Sequence, residues 1–130
     1  MNNRTNYSTS APWEPIIGYS RAVKIGNRVV VTGTTATDSK GDIVGVGDAT
    51  KQTRQTIENI KTVLERAGAT LADVIRTRMY VTNIDDWEAI GRVHGEYFGD
   101  VMPATTMVEV SRLIHPDMVV EIEAEAVVDG

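Results

Sequence analysis

Glu121 is the side chain in this sequence best placed to do chemistry. It opens the series Glu121, Glu123, Glu125, whose members alternate with Val120, Ile122, Ala124 and Ala126. Residues two apart on an extended strand share a face, so this segment has one oily side and one lined with carboxylates. If the acidic side becomes a cleft between subunits, partial desolvation raises a carboxyl pKa into a range useful for acid–base catalysis. If water covers it, Glu121 is a solvated acid on a wet strand. Arg78 falls by alternation on one face with Tyr80. Near Glu109, Glu121 or Glu123 its guanidinium would neutralise acids, or hold a substrate carboxylate through two parallel hydrogen bonds.

Other chemistries find less support. His94 and His115 lie on different elements, and no His, Asp or Glu group has metal-binding spacing, so no metal is expected. His94 reads as a half-buried packing residue on a helix, and His115 as a turn residue before Pro116. Gly45-Val46-Gly47-Asp48 precedes a helix but lacks the full phosphate-binding fingerprint, and Asp48 would repel a phosphate. There is no G-x-S-x-G elbow. The chain has no cysteine, which removes disulfides and thiolate chemistry and fits a reducing compartment.

The elements that must carry these residues can be read in order. Residues 1–15 look like an irregular arm, broken by Pro12 and Pro15, with Trp13 expected to dock on this chain or a neighbour. Tyr19 to Ile25 and Arg28 to Thr34 form a hairpin about Gly26-Asn27. Asp42 to Val46 fits a short edge strand. Asp48 to Ala67 is a helix capped by Asp48, with Ile57, Ile60, Leu64 and Ala67 on one stripe and Gly68 as its stop. Asp73 to Thr82 is a strand. A second helix opens at Asp85, with the Asp85 to Glu88 spacing of a capping box and Ile84 as a staple, and ends at Gly99. Strand-like runs over 102–110 and 119–127 close the chain.

Two helices can cover one face of a single sheet, which gives an α+β domain spanning residues 1–130. The uncovered face is expected to carry Thr32, Thr34, Arg78, Tyr80, Thr105, Met107, Glu109, Glu121 and Glu123. Either water or neighbouring subunits cover it. The 130 residues suit one domain, and the net charge of −5 opposes nonspecific nucleic-acid binding. No signal peptide and no membrane span are evident, so the reading is a cytoplasmic protein.

Several segments, taken together and in this order, resemble the RidA family, also called YjgF and once labelled L-PSP endoribonuclease. They are Gly18-Tyr19-Ser20-Arg21-Ala22-Val23, Val31-Thr32-Gly33, Gln52-Thr53-Arg54-Gln55-Thr56, Asn59 to Gly68, Pro103 to Val110 and Val120-Glu121-Ile122-Glu123-Ala124. The likeness covers roughly Tyr19 to Val128. It implies a chorismate-mutase-like α+β fold and a homotrimer whose polar sheet faces surround a central barrel, with three intersubunit clefts for a small metabolite. It also implies cofactor-free hydrolysis of enamines and imines to 2-oxo acids and ammonia.

By position, Tyr19 matches the family's cleft tyrosine, Thr32 and Gly33 its usual Ser-Gly, and Glu121 its water-positioning glutamate. The Glu121 match assumes one extra residue in the loop Leu113 to Asp117. The resemblance also shows a departure. Deaminase members read Pro-Ala-Arg where this chain reads Pro103-Ala104-Thr105, and Thr105 cannot pair with a carboxylate as arginine does. Arg21 stands where glutamine is common. Three expectations follow. A divergent hydrolase, with a substrate other than the standard 2-imino acids, would use Tyr19, Thr32, Gly33, Arg78, Thr105, Met107 and Glu121, with Arg78 or Arg21 supplying the missing charge or with a ligand that carries no carboxylate there. A metabolite sensor or chaperone-like trimer would keep the clefts without turnover. An RNA-cleaving protein is opposed by the charge and the lack of a basic aromatic strip.

Overall fold

The apolar alternation of the C-terminal segment becomes the middle of the sheet. In the computed structural model, which describes residues 3–9 and 11–129, six strands form one mixed sheet. They are β1 (Arg4–Tyr7), β2 (Ala22–Ile25), β3 (Arg28–Thr34), β4 (Val74–Val81), β5 (Ala104–Glu109) and β6 (Val120–Val127). Their order across the sheet is β1-β2-β3-β6-β4-β5. Only β4 and β5 run parallel, and the other pairs are antiparallel. Two helices, α1 (Ala49–Arg66) and α2 (Trp87–Phe98), pack on each other and cover one face. This is the expected α+β arrangement.

Every second residue of β6 is buried: Val120, Ile122, Ala124 and Ala126 all lie at 1% exposure or less. They meet Val29 and Val31 of β3, Met79 and Val81 of β4, and the apolar stripe Ile57, Ile60 and Leu64 of α1. Asp48 caps α1 as expected, its Oδ1 accepting from the Lys51 amide at 3.0 Å. Gly68 follows the helix at φ +82°, the left-handed conformation that favours glycine after a helix end. Gly26-Asn27 forms the β2–β3 turn, with Ile25 opposite Arg28.

Four expectations change. The arm is not irregular throughout: Arg4–Tyr7 adds a strand to the edge of β2, and Glu14–Gly18 form a π-type turn. Arg-Thr-Asn-Tyr carries no apolar alternation, so this strand comes from the hydrogen bonds of an open edge rather than from burial. The segment Asp42 to Val46 makes only a single bridge, Ile43 to Thr37. The capping box at Asp85 does not form. Instead Asn83 caps a turn over Ile84–Asp86 by accepting from the Asp85 amide, and α2 starts at Trp87.

The fourth change concerns the faces. Thr105, Met107 and Glu109 pair in parallel with Thr77, Met79 and Val81, which puts them on the helix side, not beside Glu121. Thr34 also turns to the helix side, opposite Ile122, because β3 is irregular between Val31 and Thr34. Alternation separates two faces but does not say which meets the helices.

Trp13 docks on its own chain, bordering small cavities with Lys40, Gly41, Val46 and Met118. Gln52 locks the loops behind it. Fully buried on α1, it donates to Gly45 O at 3.2 Å and Asp117 O at 2.7 Å and accepts from the Val119 amide at 3.0 Å. No helix among the described residues is long and apolar enough to cross a membrane. We expect Gln52→Leu to orphan these backbone groups and cost about 3 kcal/mol, read as a lower urea midpoint at unchanged m.

Candidate functional site

The uncovered face is organised by the three glutamates of β6. Their cross-strand neighbours on β4 are Tyr80 for Glu121, Arg78 for Glu123 and Arg76 for Glu125. Two of the three carboxylates are answered directly. Glu125 accepts from Arg28 Nη2 at 2.6 Å and lies 3.5 Å from Arg78 Nη1. Glu123 accepts from the Tyr80 hydroxyl at 2.8 Å and lies 3.8 Å from Arg78 Nη1. The Tyr80 phenol is held above its ordinary pKa, first by that bond to Glu123 and then by burial.

Glu121 differs. Among the described residues no side chain hydrogen-bonds to its carboxylate. Its pKa is raised, first by burial and then by the charge of Glu123, while Arg21 pulls it back. This is an acid whose proton affinity is set by place rather than by a bound partner.

Two features hold Glu121 there. A Cβ at residue 33 would collide with Glu121 Oε2 and come within 3.0 Å of its Cδ, so Gly33 is the space the carboxylate occupies. Arg21 frames the same corner. Its Nη2 donates to Gly33 O at 3.0 Å, and its Nε lies 3.7 Å from the carboxylate of buried Glu14. Its guanidinium sits 5.4 Å from the centre of the Tyr19 ring. Glu14 is fixed in turn by the Thr9 hydroxyl at 2.6 Å. The arm, the β2 entry and the β3 irregularity thus meet at one charged cluster.

A cavity of about 780 Å³ opens on this face, bounded by Tyr19, Thr32, Arg78, Glu123 and Glu125 with the β1 arm as its far wall. Of the seven site residues read from sequence, Tyr19, Thr32 and Arg78 line this cavity, while Glu121 and Gly33 lie together on the same sheet face outside its lining. Thr105 and Met107 do neither. They are on the helix side of β5, an edge strand two strands away from β6, or about 10 Å across the sheet. Met107 packs against the core. Thr105 Oγ1 bonds to buried Thr77 Oγ1 at 2.8 Å, and Thr77 bonds to His94 Nε2 at 2.9 Å. His94 is itself buried, which lowers its pKa.

Sequence reasoning missed Glu14, and treated Thr77 not at all. Glu14 carried no signal because its partners, Thr9 and Arg21, become neighbours only through the π-type turn. Arg78 is spoken for by Glu123 and Glu125, so Arg21 is the cation whose field reaches Glu121. No cluster of three metal-ligating side chains occurs among the described residues.

A half-helical layer on a mixed sheet, with a half-buried glutamate on the bare face, defines a class of small α+β proteins with a polar sheet surface. The chain belongs to the Endoribonuclease L-PSP family, which it matches over residues 8–128. A RutC family protein of Pyrococcus abyssi is 42% identical over 126 residues, covering 97% of this chain and 98% of the relative. The 3-aminoacrylate deaminase RutC of Acinetobacter baylyi is 40% identical, covering 86% and 88%. A YjgF/YER057c/UK114 family member of Mycobacterium tuberculosis has a solved structure that superposes with TM-score 0.87 at 49% identity, covering 96% and 99%. The family read from sequence is therefore the right one.

The sign of the Glu121 effect can be tested. Its folded pKa exceeds its unfolded value, so the folded state binds more protons between the two and loses stability as pH rises through that window. Glu121→Gln should raise the melting temperature at pH 7 to 8 and lose that advantage as pH falls toward about 4, the unperturbed range of Glu. Gly33→Ala should displace the Glu121 carboxylate at a cost of about 1 kcal/mol or more. In a double-mutant cycle with Glu121→Ala, most of that cost should vanish.

Proposed function

We propose that this chain is a hydrolase of small imines or enamines, acting without a cofactor in a cleft between subunits of a homotrimer. The observation that carries this reading is the unpaired, desolvated carboxylate of Glu121, given room by Gly33 and a counter-charge by Arg21. The named activity of the Acinetobacter relative supports the reaction class.

Glu121 holds the attacking water and takes its proton as the water oxygen bonds to the imine carbon. That proton passes to the substrate nitrogen to give a carbinolamine; its hydroxyl proton then moves through Glu121 to the nitrogen, the carbon–nitrogen bond breaks, and ammonia leaves a carbonyl compound. Tyr19 and Thr32 line the wall beside this point, and Arg21 steadies the charge on Glu121. Arg78 balances Glu123 and Glu125 and tunes the face from further off.

The same geometry supports the homotrimer. Within one chain, Thr105 and Glu121 are on opposite sides of the sheet, so one small ligand meets both only if the β5 edge of a neighbour reaches the bare face. Three copies would also cover the row of charges on that face. Light scattering should give three times the chain mass of 14.2 kDa. A cysteine-free protein with such chemistry fits the cytoplasm, where amino-acid metabolism generates imines.

A non-catalytic metabolite-binding trimer is the second reading. Thr105 favours it, because its hydrogen bonds among the described residues are to Thr77 and Pro103 and bring no cation to a ligand. The experiment that decides uses an amino-acid oxidase to generate imines and semicarbazide to trap them. The protein should lower semicarbazone formation, and Glu121→Gln should reduce that effect at least ~100-fold. An unchanged trapping rate across several amino acids would remove 2-imino acid hydrolysis, and an unchanged rate also with carboxylate-free imines from a flavin amine oxidase would remove the hydrolase.

A further inference from the structure

The buried His94 has no part in the chemistry above, yet it is wired to the surface. His94 Nε2 lies 2.9 Å from Thr77 Oγ1, Thr77 Oγ1 lies 2.8 Å from Thr105 Oγ1, and Thr105 Oγ1 lies 3.1 Å from Pro103 O. Thr77 is fully buried and His94 nearly so, while Thr105 is exposed at the sheet edge.

The direction of this chain follows from counting hydrogens. Pro103 O can only accept, so the Thr105 hydroxyl donates to it. Thr105 then accepts from the Thr77 hydroxyl, which has one hydrogen and has now used it. Thr77 must accept from His94, so the neutral ring carries its hydrogen on Nε2. Reversing the direction leaves the Thr105 to Pro103 contact without a hydrogen. One arrangement satisfies all three contacts.

We propose that His94 and Thr77 are positioning residues that hold Thr105 as an outward hydrogen-bond donor, selecting ligands with an uncharged acceptor such as a carbonyl, amide or imine rather than a carboxylate. The Thr105 hydrogen leaves Pro103 O, its longest contact in the chain, and turns to the ligand. The two buried groups behind it are unaffected. A single neutral hydroxyl recovers much of the hydration lost by a carbonyl and little of that lost by a carboxylate. This inference rests on the reading that Thr105 lines the ligand cleft, and it names the class of ligand that cleft takes.

The test uses a matched pair of probes, pyruvamide and pyruvate, titrated calorimetrically into the protein as it assembles. Pyruvamide should bind at least about tenfold more tightly, and Thr105→Val and Thr77→Val should each weaken it about tenfold without changing pyruvate. Thr77→Ser, which keeps the hydroxyl, should restore binding. Independently of any variant, ¹⁵N spectra of histidine-labelled wild-type protein should show His94 protonated at Nε2. Preference for pyruvate, binding of neither probe, wild-type pyruvamide affinity in Thr77→Val, or an Nδ1-protonated His94 would each overturn the proposal. Absence of imine turnover with the pyruvamide preference intact would instead sink the hydrolase and leave this inference standing.

Discussion

The pleat of β6 sets the terms for the rest of the molecule. Because it is central, with β3 on one side and β4 on the other, its inward residues are sealed beneath the helices. The same alternation then forces Glu121, Glu123 and Glu125 onto the opposite face in one row. Three like charges at two-residue spacing repel, and cross-strand pairs are the local means of answering them. Arg28, Arg78 and Tyr80 do so for Glu123 and Glu125. The uncovered face is therefore a charge-balanced surface with one member left out.

That exception is built rather than accidental. Glu121 could have been paired as its neighbours are, since its cross-strand partner is Tyr80. The Tyr80 hydroxyl instead serves Glu123, and the cation whose charge acts on Glu121 is Arg21, which is anchored to Gly33 O and Glu14. The irregularity of β3 belongs to the same device. It turns Thr34 inward while leaving Gly33 against the Glu121 carboxylate and Thr32 on the bare face. A fold that tolerates a half-buried carboxylate with no bonded partner among the described residues gives up stability there, which is a common mark of a working site.

Much of this was legible in the sequence where local rules act. The Asp48 cap, the Gly26-Asn27 turn, the stripe of α1 and the alternation of β6 each depend on neighbours in the chain. What was not legible depends on distant partners. Arg4–Tyr7 becomes a strand only because β2 offers an edge. Asp85 loses its capping role because Asn83 turns the chain first. Thr105 and Met107 read as acidic-face residues because period two cannot say which side the helices take. Glu14 could be recognised only once Thr9 and Arg21 were brought to it.

The split between Glu121 and Thr105 bears on what kind of protein this is. A site made within one chain gathers its groups on one surface, and five of the expected residues obey that rule. Thr105 breaks it, yet it is no ordinary edge threonine: two buried side chains are committed to holding its hydroxyl. Burying His94 and Thr77 for the sake of the β5 edge alone would be wasteful, since an apolar pair would pack there without desolvating polar groups. The arrangement makes sense if the edge faces something. In the proposed trimer the bare face of another copy, with its Glu121, is complementary in kind: one side offers a neutral donor, the other the proposed base. An edge strand left open in one chain and a charged face left bare in the same chain are then two halves of one construction.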